Sequence, residues 1–334
     1  MKKLQVPYNL DPGVLSLYAA WSDYIAEIYF APHPSLFPTA RQFDFGNKEE
    51  YFKDIEKVCS FGQDYDINTM LLLNGTNVVL NNDKLKEIDE FLSQLYDKIT
   101  GVIVANPILA EWVHVHYPTL KIRLSVLSLA TTIGQIKQIA ELGYISEICL
   151  PQSYNRDLNA LKELKKEVPN IQFSAIVNSG CRANCPLFNW HHSSFNSNIE
   201  SWNKGNFSEL KQSLYKQSSS YNNNILASPF VLPSELYQYD DLYHQFKLED
   251  RTISTANLHS IVAHYATRID KGTFLIDFMH GSCIPGRLNI IETNELPAEW
   301  RKKILTCKNE CWKCHLCDEI LKNILSERDN DNGK

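Results

Sequence analysis

Residues 101–152 read GVIVANPILAEWVHVHYPTLKIRLSVLSLATTIGQIKQIAELGYISEICLPQ, and this stretch decides the fold. Short apolar runs at 101–105, 122–127 and 147–151 are separated by segments long enough to form helices. In the segment 132–142, isoleucines recur at helical spacing, which predicts an amphipathic helix. Apolar strands that alternate with such helices are typical of βαβ units with a parallel sheet.

The same alternation extends in both directions along the chain. Five further strand candidates lie at 4–8, 25–30, 69–74, 171–177 and 245–249. Eight strands close a barrel, so the sequence predicts an α/β protein with a (β/α)8 TIM-type barrel. Strand ends carry polar residues, which would line the active face of such a barrel or simply form caps and turns. These residues are Asn74, Asn106, Ser128, Gln152 and Asn178.

Composition is consistent with one large folded unit. The chain has 334 residues, of which 44% are hydrophobic, so it can bury a core without disulfides. We predict a barrel over 1–290, with a polar excursion at about 192–224, and a cysteine-rich, metal-binding segment over 291–334. The net charge of −6 gives no general nucleic-acid-binding signature. Because neither a signal region nor a membrane span is visible, we expect a cytoplasmic protein without a membrane partner.

Four of the nine cysteines lie within eleven residues near the C-terminus. Cys307, Cys311, Cys314 and Cys317 form a C-x3-C-x2-C-x2-C run, which brings four thiolates onto one tightly turned loop. Compact runs of this kind are typical of iron–sulfur clusters, so a 4Fe–4S cluster is the leading prediction. Structural zinc is the alternative, although zinc ligands usually form two pairs separated by a longer loop.

A second group of cysteines follows the seventh predicted strand. Cys181 and Cys185 form a C-x3-C pair, and Cys283 could add a third thiolate. This group is either a second metal site or a set of shared ligands for the C-terminal centre. Histidines at 191 and 192 could complete the site or act as acid–base groups. The remaining cysteines, Cys59 and Cys149, are expected to be small buried residues.

The first three C-terminal cysteines also have the spacing of the radical S-adenosylmethionine motif. In most such enzymes the motif follows the first barrel strand, whereas here it follows the last. Cys317 would also fill the iron site that S-adenosylmethionine must occupy. A noncanonical radical enzyme is therefore an alternative to a four-cysteine cluster.

Two segments resemble a known family. The hexad FKLEDR at 246–251, preceded by Ser228-Pro229-Phe230 and followed by a helix, is similar to the Phe-Lys-Ile-Glu-Gly-Arg hexad of collagenase-like peptidase family U-32. Asn155-Arg156-Asp157-Leu158 is similar to the Arg-Glu-Leu loop of that family. The resemblance implies a (β/α)8-type barrel. Asp250 stands where the family has glycine, which permits backbone conformations that aspartate tolerates poorly.

The resemblance implies two kinds of activity. Some relatives are described as peptidases, and others are linked to oxygen-independent hydroxylation in ubiquinone synthesis and RNA modification. The ubiquinone-synthesis pair carries iron–sulfur clusters. The clustered cysteines favour the second group, so we expect an iron–sulfur oxidoreductase or hydroxylase that modifies a small molecule, RNA or peptide. A peptidase with structural zinc or a cluster, and a non-catalytic cluster-binding subunit, are the alternatives.

The candidate catalytic residues are Arg251, His191, His192 and Lys247. Arg251 and Lys247 would either hold a carboxylate or phosphate at the barrel mouth or form surface ion pairs with neighbouring acids. Arg156 and Asp157 are expected to be a solvated loop pair. A second barrel protein or a redox partner is a candidate partner. The sequence has no phosphate-binding glycine loop, nucleophile elbow or zinc-peptidase helix.

Overall fold

The barrel closes in the computed structural model, which describes residues 3–39, 46–181, 185, 188, 192, 225–279, 291–311 and 313–331. Eight parallel strands follow one another around the barrel in sequence order, and the first strand pairs with the last. The predicted fold class is therefore confirmed.

Every predicted strand is present, with ends that differ by a few residues. The longer strands are buried along most of their length, as expected for strands that are covered by helices outside and by packed side chains inside. The strands are β1 (Leu4–Pro7), β2 (Ile25–Phe30), β3 (Asn68–Leu73), β4 (Gly101–Val104), β5 (Lys121–Leu124), β6 (Ile145–Cys149), β7 (Gln172–Ile176) and β8 (Gln245–Lys247).

A helix follows each of the first six strands, and another follows β8. Asn47, Asn81, Thr132 and Ser254 each accept a hydrogen bond from a backbone N–H of the first helical turn, which explains where four of these helices begin. The helices are α1 (Gly13–Ala20), α2 (Lys48–Asp64), α3 (Asn82–Leu92), α4 (Pro107–His116), α5 (Ile133–Glu141), α6 (Leu158–Glu167), α7 (Thr255–Thr267), α8 (Ala298–Ile304) and α9 (Leu316–Asp331).

The barrel interior contains a buried ionic network. Arg123 Nη1 donates to Glu27 Oε1 at 2.6 Å, and Arg123 Nε lies 2.8 Å from Glu147 Oε1. Gln5 Nε2 donates to Glu147 Oε1 at 2.9 Å and to Gln245 Oε1 at 2.7 Å. Burial alone would lower the pKa of Arg123, but attraction by the two carboxylates raises it, so the guanidinium stays charged. The network joins five strands across the barrel.

The cysteine-bearing tail packs on the loop that follows β6. Thr306 forms a backbone bridge with Asp157, and the backbone N–H of Cys307 donates to the carbonyl of Arg156 at 2.8 Å. Asn309 Nδ2 donates to the carbonyl of Ser153 at 3.0 Å. The tail thus lies at the carboxyl end of the barrel, where βα loops form the functional face.

Parts of the predicted organisation lie outside the described residues. They include most of the excursion at 192–224, so its role and the division of the chain at 290 stay predictions. Between β7 and β8, the described residues form 3-10 turns at Ile225–Ala227 and Pro233–Tyr239. No helix within the described ranges is long and apolar enough to cross a membrane.

Candidate functional site

The four C-terminal cysteines line one cavity of about 540 Å³. Cys307 and Cys311 are half-buried and precede α9, Cys314 is exposed, and Cys317 lies in the first turn of α9. The predicted cysteine run therefore surrounds a single space. In the described part of the chain, no group of three histidine, cysteine or acidic side chains is arranged to hold a single metal ion. The cysteines surround the cavity without converging on one point.

Cys317 is the most deeply placed of the four. Trp300 Nε1 donates to its Sγ at 3.2 Å, and the thiol lies 3.5 Å from the carbonyl of Leu226. Burial raises the pKa of the Cys317 thiol to about 11, and the nearby Arg156 guanidinium opposes that rise. Trp300 itself is fully buried, so it fixes the inner wall of the cavity.

Arg156 lines the same cavity and corrects a prediction. We expected a solvated loop pair of Arg156 and Asp157, but Arg156 is only 2% exposed and Asp157 caps α6. The guanidinium lies between the rings of Phe230 and Trp300, at 5.2 and 5.5 Å from their centroids, and its Nη2 donates to the carbonyl of Ser228. Its Nε has no hydrogen-bond partner among the described residues. Aromatic packing and carbonyl contacts therefore hold a buried cation beside the cysteines.

A second cavity of about 560 Å³ occupies the mouth of the barrel. It shares no lining residue with the cysteine cavity among the described residues. Of the polar residues predicted at strand ends, Asn74 lies in the wall of this cavity. Asn106 instead caps α4. The side chain of Asn178 forms two hydrogen bonds with the backbone of Glu249. Polar or ionisable residues in the wall include Asn74, Ser125, Cys149, Lys247, Glu249 and Arg251.

Lys247 and Arg251 both face this mouth cavity. They are 9% and 5% exposed, so neither side chain lies on the surface, where the alternative of surface ion pairs would have placed it. Burial, the largest effect, and repulsion by Arg123 and Arg251 lower the pKa of Lys247 to about 8, while Cys149 and Glu27 oppose the change. The cavity therefore presents two basic groups in a poorly solvated wall.

Cys149 was predicted to be a small buried residue, and it is only 2% exposed. It nevertheless lines the mouth cavity, because its side chain points into the barrel from the end of β6. Burial raises the pKa of its thiol. Cys149 is therefore protonated and a weak nucleophile at neutral pH.

His192 borders two cavities. It lines the mouth cavity and an adjoining cavity of about 680 Å³ that also contains Asn106. Its ring packs edge-on against Phe188, with the centroids 4.6 Å apart. His191 and Cys283 lie outside the described residues. Cys181 and Cys185 are half-buried and line neither the cysteine cavity nor the mouth cavity.

The backbone at Asp250 explains why the related hexad has glycine at this position. Asp250 has a φ of +103°, a conformation that side chains with a Cβ rarely adopt. Its Oδ1 accepts hydrogen bonds from Thr252 N at 2.9 Å and from Thr252 Oγ1 at 2.6 Å. The carboxylate thus stabilises locally a turn that glycine would adopt without strain.

Substitutions at Asp250 should separate the cost of the strained backbone from the contribution of the hydrogen bonds to Thr252. Asp250→Gly and Asp250→Ala both lose the contacts to Thr252, but only alanine keeps the strained φ. We expect Asp250→Ala to unfold with about 1–2 kcal/mol less free energy than Asp250→Gly, measured by urea titration. Equal stability of the two variants would contradict a strained backbone at this position.

Comparison with known proteins matches residues 17–184, about half of the chain, to the sequence profile of peptidase family U32. The chain belongs to peptidase family U32. The matched region of this U32 protein extends from α1 through β7 to the Cys181 loop. The hexad at 246–251 and the cysteine-bearing tail lie beyond it.

Two individual proteins are similar over most of this U32 chain. The uncharacterized protease MJ1657 of Methanocaldococcus jannaschii is 20% identical over 293 residues, which cover 82% of each chain. The solved structure of the U32 peptidase Mk0906 superposes with a TM-score of 0.52 at 14% identity, covering 75% of this chain and 93% of that one. At this identity the structural likeness establishes the fold alone.

Sequence reasoning missed two features of the U32 site. Arg156 was predicted to be solvated. Trp300 and the four cysteines lie together in one short tail, and this combination indicates a buried pocket. The buried ionic network of Glu27, Arg123 and Glu147 was not predicted. Each residue is a single charge within a mostly apolar strand, and the local sequence does not show that the three meet. A charged residue within a predicted buried strand is the signal that could have found them.

Proposed function

We propose that this U32 protein binds an iron–sulfur cluster at Cys307, Cys311, Cys314 and Cys317 and performs an oxygen-independent redox modification of an anionic substrate. The observation that carries the proposal is the placement of all four cysteines around one cavity. A 4Fe–4S cluster is the group that four cysteines at this spacing fit best.

The spacing of the cysteines supports a cluster over a single zinc ion. Tetrahedral zinc needs four sulfurs at about 2.3 Å from one point. The run Cys307-x3-Cys311-x2-Cys314-x2-Cys317 lacks the longer loop that usually separates the two ligand pairs of a zinc site. A cluster with several irons distributes its cysteine ligands over a larger body.

The charge around the cavity also supports the proposal. Four thiolates together with a cluster carry net negative charge, which is costly to bury without a counter-charge. Arg156 supplies a buried positive charge in the same wall, with an Nε that has no hydrogen-bond partner. Trp300 additionally donates an N–H to Cys317 Sγ, a contact of the kind that tunes cluster potentials.

The mouth cavity supplies the substrate end of the proposed reaction. Its wall holds the cations Lys247 and Arg251 beside the acids Glu249 and Asp250, and the Arg251 guanidinium is suited to bind a carboxylate or phosphate. A bound cluster would supply electrons. The exposed position of Cys314 leaves an edge of the cysteine cavity accessible to a redox partner or a second barrel protein. The substrate class can be a small molecule, an RNA or a peptide.

Anaerobic purification followed by iron, sulfide and zinc analysis tests the proposal. We expect iron and sulfide in equal amounts, with a brown colour and broad visible absorption. A colourless protein with one tightly bound zinc and no iron would overturn the proposal. Because Cys317 completes the cluster, S-adenosylmethionine should leave the spectrum unchanged, and its cleavage to deoxyadenosine would support the radical alternative.

Arg156 gives the proposal a quantitative prediction. A buried cation favours the reduced, more negative cluster, so Arg156→Met should lower the reduction potential by on the order of tens of millivolts. Lys303→Met is the matched control, because Lys303 lines the same cavity but is exposed and screened by solvent. Spectroelectrochemical titration measures both shifts. Equal shifts in the two variants would contradict a specific role for Arg156.

Hydrolysis is the competing proposal, since the names of the relatives describe a protease and a peptidase. The protonated Cys149 does not favour a cysteine nucleophile at the barrel mouth. Peptide cleavage by the metal-depleted protein, lost in His192→Ala and retained in Cys314→Ala, would support a peptidase. We expect no such cleavage.

A further inference from the structure

Lys247 is the last residue of β8, and its side chain lies in an unusual environment. Lys247 is 9% exposed, and its Nζ lies 3.9 Å from the ring centroid of Tyr29 on β2. Its Nζ forms no hydrogen bond or ion pair within the described ranges. Lysine ammonium groups are normally solvated or paired. This amine instead faces the mouth cavity with an aromatic ring as its direct contact.

Burial favours the uncharged form of Lys247. Burial has the largest effect on its pKa, which is lowered to about 8, and Arg123 from β5 and Arg251 beyond β8 act in the same direction. Cys149 from β6 and Glu27 from β2 oppose them. A lysine that is desolvated or placed beside another cation is the form that attacks carbonyl groups.

We propose that Lys247 forms an imine with the carbonyl carbon of a ligand whose carboxylate or phosphate binds Arg251. Both side chains line the mouth cavity, and they are four positions apart in the chain. A 2-oxo acid has both groups. This activity goes beyond the proposed redox function and needs no cluster.

The covalent step balances without an electron donor or acceptor. The Lys247 nitrogen attacks the carbonyl carbon, a C–N bond forms, and the carbonyl π electrons move to oxygen. Both amine protons are then transferred to that oxygen, which leaves as water as the C=N bond forms. Glu249 is placed to relay these protons, because it lines the cavity and its buried Oε1 has no hydrogen-bond partner in the described part of the chain.

Reductive trapping tests the proposal on the full chain. The probe is pyruvate with cyanoborohydride, and peptide mass mapping locates the stable secondary amine. We expect one adduct per chain, on Lys247. The trapping rate should rise with pH and be half-maximal near the pKa of about 8, because only the uncharged amine attacks. The result should be the same with and without iron, so it is independent of the cluster.

Matched variants define the outcomes. Lys247→Arg should abolish the adduct, whereas Lys3→Arg should retain it. Lys3 is the matched control because its Nζ also lies near an aromatic ring, 5.5 Å from the centroid of Phe246. Arg251→Gln should slow trapping of pyruvate at least tenfold and leave trapping of uncharged propanal unchanged. Adducts spread over several lysines would overturn the proposal. If Lys247→Arg fails to fold, the position of the adduct in the unsubstituted chain, found by peptide mass mapping, still tests the proposal.

Discussion

We expect replacement of Cys314 with alanine to remove the visible absorption and most of the iron from the anaerobically purified protein. Loss of one of four thiolates leaves an iron of the proposed cluster without its protein ligand, which typically destabilises the whole cluster. Cys314 is exposed, so the substitution should leave the barrel folded. Visible absorption, iron content and far-ultraviolet circular dichroism measure the three parts of this prediction.

Cys59→Ala and Cys185→Ala are the controls for Cys314→Ala. Cys59 lies on α2, remote in sequence from the tail, and burial raises the pKa of its thiol to about 11. We expect Cys59→Ala to keep its iron and absorption. Unchanged absorption in Cys314→Ala, together with bleaching in Cys185→Ala, would move the cluster to the Cys181 loop.

Replacing Arg123 with methionine should cause the largest loss of stability, about 3–5 kcal/mol in the free energy of unfolding. The substitution leaves Glu27 and Glu147 facing each other inside the barrel without their common cation. Urea titration measures the loss.

Arg268→Met is the matched control for Arg123→Met. Arg268 also binds a carboxylate with two nitrogens, at 2.6 and 2.8 Å from Asp240, but both side chains are about one-third exposed. Solvated pairs contribute about 0–1 kcal/mol, so this variant should unfold almost as the unsubstituted protein does. A loss in Arg123→Met no larger than in Arg268→Met would contradict a stabilising interior network.

The barrel was predictable because the sequence signals for its strands and helices are local. Each strand is a short apolar run bounded by turn residues, and each helix repeats its apolar side chains at helical spacing. Asn74, which the sequence places at a strand end, lies in the wall of the mouth cavity. Asn106 shows the limit of this reasoning, because a polar residue after a strand can cap the next helix instead.

The candidate sites were predictable only in part because they depend on contacts between distant segments. The spacing of the C-terminal cysteines indicated that they share a site, but spacing says nothing about what packs behind them. Arg156 reaches that cavity from a segment about 150 residues earlier, through the docking of the tail on the loop after β6. Side-chain burial of this kind is set by tertiary packing, which no local pattern encodes.

X-ray absorption at the iron and zinc edges tests the central claim most directly, since it reports the ligands of whichever metal the chain holds. The account predicts iron surrounded by sulfur, with a second shell of neighbouring iron atoms, and this signal should be lost in Cys314→Ala. A single zinc with four sulfurs at about 2.3 Å and no iron signal would contradict the account.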